Sequence, residues 1–342
     1  MKTSFLLGTN GDALGVVRQF LQELWSYADL DGMLVPIYQA DGTNVSPSFV
    51  EDPSHLMLAD PLAPMVTASS AKLAPQITDF NPEARLGFVW HSCEARAWQW
   101  LIEQKRIAPG NWLIIGVDCL SSFSSKDFEW RVERAGNVER LTRETMRFAR
   151  MGGIAPYRYR DACQMCTSPV VQDADLNIEL LGLPVKSVLI ITAKDREIVN
   201  KLRLRELTDG EAPPSLVSRR EATLGVLSGR RRQVAERMEQ GLSDDMPAQV
   251  GSLLQYIASC APCQECLEAC PIYMGEFSPA TNGGAKAISA AEHWLESCIS
   301  CGMCDDACPK HMPLTVMFRH VLHALHDDIN LIPAPNLAGF AS

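Results

Sequence analysis

The sequence has no hydrophobic run long enough to cross a lipid bilayer, and it has no excess of basic residues. Its apolar runs, such as Ser187–Ala193 and Trp112–Val117, fall far short of the roughly 20 residues that a membrane-spanning helix needs. The chain has 41 acidic and 31 basic residues, and its net charge of −10 disfavours binding to nucleic acid or anionic membranes. The apolar stretch Phe5–Leu7 is too short for a signal peptide. We therefore expect a cytoplasmic protein that binds no nucleic acid and has no transmembrane segment.

The sequence also lacks a G-x-G-x-x-G motif, the fingerprint of dinucleotide-binding domains, after any predicted strand. A shorter glycine pair, Gly8 and Gly11, lies at the end of the first predicted strand. This pair fits a tight turn, and it also fits a backbone segment that approaches a phosphate at a helix start. Both interpretations stay open on the sequence.

Cysteine is abundant, with twelve in the chain, and eight of them form two copies of the motif C-x2-C-x2-C-x3-C-P. In two-cluster ferredoxins this spacing binds 4Fe–4S clusters, and the fourth cysteine of each copy ligates the other cluster. Zinc sites usually have paired C-x2-C knuckles without a trailing Cys-Pro, and disulfides are uncommon in the cytosol, so the spacing disfavours both alternatives. The motif predicts two 4Fe–4S sites. One consists of Cys260, Cys263, Cys266 and Cys308, and the other of Cys298, Cys301, Cys304 and Cys270.

The N-terminal part of the chain alternates strand-like and helix-like segments, which is typical of an α/β domain. The predicted strands are Ser4–Thr9, Gly32–Gln39, Arg85–Trp90, Trp112–Val117 and Ser187–Thr192. Helices are predicted over Ala13–Tyr27 and Asp195–Leu202, and a third runs from the turn after Trp90 to Leu101.

The remaining four cysteines follow these elements. Cys93 and Cys119 come just after two predicted strands, and Cys163 and Cys166 form a C-x2-C pair in a loop. Since strand ends bring residues that are distant in sequence to one edge of a sheet, these four thiols are candidates for a third 4Fe–4S site. The alternative is that Cys93 and Cys119 are buried apolar residues, as free cysteines often are.

At about 150 residues per domain, the length of the chain predicts two domains. The polar stretch Ser243–Pro247 indicates the boundary, with an α/β domain over residues 1–245 and a small helical ferredoxin-like domain over residues 246–342. The run Arg230–Arg232 lies ahead of this boundary in a polar helical stretch. We interpret it as a solvated helix face or a domain linker.

Several segments of the chain are similar to a known family. They are Ala13–Leu21, Leu86–Glu94 with its Cys93, Ile115–Cys119, Asp161–Cys166 and Glu296–Pro309. On these segments the chain resembles the coenzyme F-420 hydrogenase/dehydrogenase beta subunit family. The segment Glu296–Pro309, with Met312-Pro313-Leu314 after it, looks most like the formate dehydrogenase beta subunit branch.

The resemblance implies an α/β flavin-type domain followed by a small helical domain with two 4Fe–4S clusters. In the family, the first domain holds FAD and one further 4Fe–4S cluster, and the flavin exchanges a hydride with F-420. Gly11, Gly15 and Arg18 are the candidate FAD-binding residues of this chain. The candidate ligands of the further cluster are Cys93, Cys119, Cys163 and Cys166.

The resemblance also implies an electron-transfer subunit of a formate dehydrogenase-like oxidoreductase. A molybdenum or tungsten pterin subunit, or another redox subunit of a hetero-oligomer, would then carry the substrate chemistry. The acceptor would be F-420, another soluble carrier or a redox protein. Leu14 and Trp90 add bulk where the family is small, so one alternative is a flavin-free iron–sulfur adaptor between two redox proteins. The other alternative is a ferredoxin-fed flavin reductase.

Overall fold

The computed structural model describes residues 2–108, 110–152, 159–242, 246–247, 249–260, 263–275 and 285–328. The chain forms two compact units, Met1–Arg232 and Gln233–Ser342. The boundary that the sequence predicts, between residues 245 and 246, falls beside residues 243–245, which lie outside the described residues. That boundary stays a prediction.

The first unit is built on a mixed sheet, with seven strands among its described residues. The strands are β1 (Thr3–Gly8), β2 (Gly32–Tyr38), β3 (Val45–Val50), β4 (Arg85–Trp90), β5 (Asn111–Val117), β6 (Leu176–Glu179) and β7 (Val188–Ala193). Their order across the sheet is β1-β7-β6-β5-β4-β2-β3. The α/β class predicted for this part of the chain is confirmed, and β3 and β6 are additional to the predicted strands.

Five strands of the sheet run in the same direction. β2, β4, β5 and β6 pair in parallel, while β3 and β7 are antiparallel to their neighbours. β1 is antiparallel to β7, so it runs with the parallel four. The carboxyl ends of these five strands therefore share one edge of the sheet, where α/β proteins usually bind their ligands.

Helices connect and cover the strands of the first unit. They are α1 (Ala13–Ala28), α2 (Ala74–Phe80), α3 (Ser92–Glu103), α4 (Ser125–Ala135), α5 (Val138–Met146), α6 (Asp161–Met165), α7 (Arg196–Lys201), α8 (Leu204–Leu207) and α9 (Pro214–Gln240), the last of which contains the unit boundary. α1 shows why they form, because Val17, Leu21 and Leu24 lie on one buried stripe at helical spacing. The Asp12 carboxylate caps its first turn by accepting a hydrogen bond from the Gly15 N–H.

The centre of the sheet is buried on both faces, as expected for parallel strands between helices. In β4, every residue from Leu86 to Trp90 is buried. The Trp90 ring lies among the rings of Phe88 and Trp98, with centroid separations of 4.9 Å to each. Trp90 and Leu14, which are bulkier than the residues at these positions in the family that the chain resembles, lie in the core, since neither has exposed surface.

The described part of the second unit contains helices and no strand. Besides the end of α9, its helices are α10 (Val250–Ala258), α11 (Glu265–Glu268), α12 (Ala285–Glu296), α13 (Met303–Ala307) and α14 (Leu314–Asp328). Trp294 of α12 contacts Phe318 of α14 edge to face, with ring centroids 5.1 Å apart. The helical content predicted for this part agrees with the described elements, and its ferredoxin-like character stays a prediction. None of the described helices is long and apolar enough to span a lipid bilayer.

A buried ion pair attaches α9 to the sheet. Asp118, the first residue after β5, accepts hydrogen bonds from the N–H groups of Leu180 and Leu181, at 2.8 and 2.9 Å. The Arg220 guanidinium of α9 lies 2.8 Å from both Asp118 carboxylate oxygens and 3.2 Å from Glu179. Burial raises the pKa of Glu179 to about 7, although the Arg220 charge opposes that shift. Because these charged groups are buried away from water, each is stable only while its partners are present.

We expect Arg220→Met to destabilise the first unit, because it leaves the Asp118 and Glu179 carboxylates buried without their cation. Breaking one side of a buried ion pair costs about 3–5 kcal/mol of unfolding free energy. Equilibrium urea denaturation followed by circular dichroism measures the change. The neighbouring Arg219 is exposed, so Arg219→Met serves as the control and should change stability by less than about 0.5 kcal/mol. Equal urea midpoints for the two variants would contradict the role assigned to this ion pair.

Candidate functional site

The four cysteines outside the duplicated motif meet at the carboxyl edge of the sheet. Cys93 lies in the first turn of α3, directly after β4, and Cys119 follows β5, the parallel neighbour of β4. Cys163 lies in α6 and Cys166 follows it. Burial raises the pKa of the Cys119 thiol, and the nearby Cys163, Cys93 and Cys166 thiols raise it further. The structure thus brings together all four cysteines of the predicted third site.

Two consecutive backbone N–H groups face the sulfurs of this site. The Ser121 N–H donates to Cys119 Sγ, and the Ser122 N–H donates to Cys163 Sγ, both at 3.4 Å. Such donors stabilise negative charge on sulfur, whether it is a free thiolate or a metal-bound one. The sequence pattern contained no signal for these donors, because they depend on the turn after β5.

The second unit gathers the other eight cysteines around two cavities. One cavity is lined by Cys260, Cys263, Cys266 and Cys308, and the other by Cys298, Cys301, Cys304 and Cys270. In each cavity, three cysteines come from one copy of the motif and the fourth from the other copy. This is the grouping that the sequence predicts.

Electrostatic interactions between the thiols give the same grouping. Burial raises the pKa of Cys266 to about 11, and the Cys308 thiol adds to that shift. Burial likewise raises the pKa of Cys298 to about 11, with a contribution from Cys270. Deprotonated thiols at these positions therefore need a positive partner, which a bound metal centre supplies.

The all-cysteine donor set, and not a preformed metal geometry, is what favours a cluster over a single ion at these sites. A single zinc ion needs its sulfur ligands to converge within about 2.3 Å of one point. Among the described residues, no group of three or more His, Cys, Asp or Glu side chains is arranged so that it could hold a metal ion. The thiols instead line the walls of two cavities, and the all-cysteine donor set is the one that 4Fe–4S clusters use. The donor sets therefore fit the predicted clusters, and the binding itself remains a prediction.

The predicted FAD residues lie together at the start of α1, but their contacts are internal. Gly11 has a φ of +91°, which explains its glycine, and its N–H donates to the Lys186 carbonyl at 2.8 Å. A Cβ on Gly15 would lie 2.5 Å from the Asp12 carboxylate. This glycine therefore makes room for the side chain that caps α1, and the helix start already holds an anion.

Arg18 is buried and bonded within the protein. Its Nε donates to the Ala59 carbonyl at 2.8 Å, and its Nη2 lies 3.3 Å from Glu139. Arg143 bridges Glu139, at 2.9 Å, and Asp12. The Arg143 guanidinium, through its hydrogen bond, holds the pKa of Asp12 below its usual value. A chain of alternating charges, Asp12–Arg143–Glu139–Arg18, thus occupies the start of α1, where the candidate FAD-binding residues lie, and these residues do not fit FAD.

A buried carboxylate lies beside this chain of charges. Asp60 accepts hydrogen bonds from the hydroxyls of Tyr38 and Thr142, both at 2.6 Å, and from the Leu62 N–H at 3.2 Å. Arg18 stacks on the Tyr38 ring. Burial raises the pKa of Asp60 to about 6, although the hydroxyl donors and Arg18 oppose the shift. Sequence reasoning missed this network because its members lie on four separate elements.

Comparison with known proteins gives a fold relationship. No protein-family model and no curated protein sequence matches the chain. Among solved structures, it is similar to a chain of the F420-reducing NiFe hydrogenase complex from Methanosarcina barkeri, with a TM-score of 0.52 and 14% sequence identity. The similarity covers 70% of this chain and 92% of that chain. At this identity the comparison establishes a shared fold and leaves the formate dehydrogenase branch untested.

We expect the Asp60 carboxyl to titrate near pH 6 instead of near its ordinary value of 3.8. Infrared spectroscopy should show a protonated carboxyl band that disappears around pH 6 and is missing in Asp60→Asn. Because the folded state binds the proton more tightly than the unfolded state, unfolding free energy should fall as pH rises from about 4 to about 6. The loss amounts to about 3 kcal/mol for a pKa raised to about 6, and Asp60→Asn should abolish it. A band that disappears near pH 4 would contradict the effect of burial.

Proposed function

We propose that the chain is an iron–sulfur electron-transfer subunit of an oxidoreductase complex, with three sites for 4Fe–4S clusters. The observation that carries this proposal is the grouping of all twelve cysteines into three sets of four, which leaves none over. A 4Fe–4S cluster, when bound, accepts and releases single electrons.

The chain's own residues prepare these sites for that chemistry. The cysteines supply the thiolates, and burial keeps water from them, most strongly at Cys304 and Cys308. Backbone donors face two sulfurs of the sheet-edge site. In the second unit, Lys310 Nζ lies 3.4 Å from Cys260 Sγ and offsets negative charge there. Hydrogen bonds, charge and exposure are the quantities by which proteins set cluster potentials.

The finer proposal is a formate dehydrogenase-like complex, in which a molybdenum or tungsten pterin subunit oxidises the substrate. It rests on the resemblance of Glu296–Pro309 to the formate dehydrogenase beta branch. The shared fold with a chain of an F420-reducing hydrogenase complex supports a role in a redox complex. Electrons would pass between the partner subunit and an F-420-type, flavin or protein acceptor.

A second candidate is the flavin-free adaptor, which conducts electrons between two other redox proteins. The specific observation that favours it is the ion-pair chain at the start of α1, where Arg18 donates a hydrogen bond to Ala59 and pairs with Glu139. Asp12 also places a carboxylate where a phosphate would have to bind. In this version the flavin or F-420 acceptor belongs to a partner chain.

Counting iron tests the three sites. Protein purified without oxygen should contain about twelve iron atoms per chain, because three 4Fe–4S clusters hold twelve. Cys163→Ser should lower the count to about eight and leave the spectra of the other two clusters unchanged. A count near eight in the unmodified protein would remove the sheet-edge site from the proposal.

The same preparations test the crossed grouping. Cys270→Ala should remove the electron paramagnetic resonance signal that Cys298→Ala removes, and retain the one that Cys260→Ala removes. Cys163→Ser serves as the control, because it should retain both signals. If Cys270→Ala and Cys260→Ala remove the same signal, each motif holds its own cluster and the crossed grouping is wrong.

The flavin content separates the two candidates. The adaptor predicts no extractable FAD in protein that carries all its iron, and no binding of added FAD, because the start of α1 is filled by its own charges. About one FAD per chain would contradict the adaptor. If FAD binds through Arg18 after all, Arg18→Ala should weaken binding by about 1.5–3 kcal/mol, the size of a hydrogen bond to a charged group. Fluorescence titration measures that change.

A further inference from the structure

One residue of the arginine run Arg230–Arg232 differs from its neighbours. Arg230 and Arg232 are exposed, as expected for a solvated helix face, whereas Arg231 is buried. The interpretation of the whole run as a solvated face or linker is therefore wrong for Arg231. A buried guanidinium is costly unless its N–H groups have partners, so its contacts indicate what it does.

Arg231 reaches from α9 to the sheet-edge cysteine site. Its Nη1 donates to the Cys166 carbonyl and its Nη2 to Ser121 Oγ, both at 2.9 Å. These two acceptors lie on separate segments, one after β5 and one at the end of α6. A single rigid guanidinium thus joins the segment that carries Cys119 to the segment that carries Cys163 and Cys166.

Ser121 has an unfavourable backbone conformation, with a φ of +89°. A residue with a side chain rarely adopts this region unless its surroundings hold it there. In this conformation the N–H groups of Ser121 and Ser122 donate hydrogen bonds to Cys119 Sγ and Cys163 Sγ. The hydrogen bond from Arg231 is one contact that holds the Ser121 side chain in this conformation.

The charge of Arg231 also acts on the site. The Arg231 guanidinium is buried and donates to the backbone carbonyl of Cys166, one of the four cysteines of the site. Each electron that a cluster receives from a redox partner adds one negative charge to it. A buried cation nearby stabilises that reduced form and raises the reduction potential.

We propose that Arg231 is a positioning residue for the site formed by Cys93, Cys119, Cys163 and Cys166. It holds the Ser121-Ser122 turn against the sulfurs of this site. It also supplies a buried positive charge that raises the reduction potential of the cluster there. This inference rests on the proposed function, since it assumes a cluster at this site. It assigns two separable effects to one side chain, one on cluster retention and one on potential.

The test compares Arg231→Met with Arg230→Met and Arg232→Met, which remove the same charge from exposed neighbours. The readouts are iron per chain and the midpoint potential of the signal that Cys163→Ser abolishes, from an anaerobic titration with dithionite. Arg231→Met should lose iron from this site and lower the potential of the cluster that remains. The two control variants should match the unmodified protein, and the signals of the other two clusters should not move.

Two further variants separate geometry from charge. Glycine adopts positive φ freely, so Arg231→Met combined with Ser121→Gly should recover the iron content while the potential stays low. Arg231→Lys keeps the charge and loses the two-pronged contact. Its potential should stay near that of the unmodified protein while its iron content falls, and it replaces Arg231→Met if that variant does not fold.

Iron content and potential that are the same in Arg231→Met and Arg230→Met would overturn the inference and leave the proposed function intact. Recovery of the potential in the double variant would overturn the role of the charge. An iron count near eight in the unmodified protein would overturn this inference together with the third site of the proposed function. Circular dichroism shows in each case that the first unit of the variant is folded, because the signals of the two other clusters come from the second unit.

Discussion

The Asp118 carboxylate organises the carboxyl edge of the sheet, where four of the cysteines lie. It follows β5 directly, receives two backbone N–H groups from the segment after β6, and binds the Arg220 guanidinium of α9. Cys119 is the next residue, so the same contacts that anchor Asp118 fix where this thiol lies. Arg231 lies three helical turns after Arg220 on α9, and its position at the cysteines depends on how that helix is attached. The geometry of the four-thiol site therefore depends on a buried ion pair that contains no cysteine.

Gathering thiols in a protein interior creates an electrostatic problem, since each thiolate is disfavoured by burial and repelled by its neighbours. The groups that offset this unfavourable negative charge differ from one site to the next. At the sheet edge, two backbone donors and two arginines offset the charge. In the second unit, Lys310 lies beside Cys260, whereas Asp305 makes the surroundings of Cys304 more negative. The two cavities of the second unit thus have unequal electrostatic surroundings despite their matching motifs.

The sequence predicted those parts of the molecule that have a local signal. The buried strand β4 matches its predicted bounds, and α1 starts at its predicted residue, because hydrophobic runs and helical spacing are read over a few neighbouring residues. β3 was missed because it is an edge strand with Pro47 and serines, and β6 because it has only four residues. The spacing of the duplicated motif predicted two groups of cysteines, and the strand ends together with the family resemblance predicted the third. The burial of Arg231 could not be predicted, because its partner Ser121 lies more than a hundred residues away in a turn that forms only in the folded sheet. The hydrogen bond between Arg18 and Glu139 could not be predicted either, because these residues also lie more than a hundred residues apart.

The pairing of β1 with β7 has a consequence for how the protein is made. Ser4 of β1 and Thr192 of β7 bond to each other across 188 residues of chain. During synthesis at about 5–20 residues per second, β1 must wait many seconds before its only neighbour in the described sheet leaves the ribosome. Pairings between residues this distant in sequence also slow folding, because closing the long loop costs conformational entropy before the contacts that offset this cost can form. Arg231 emerges later still, so its contacts with Cys166 and Ser121 can form only after both β1 and β7 have been synthesised.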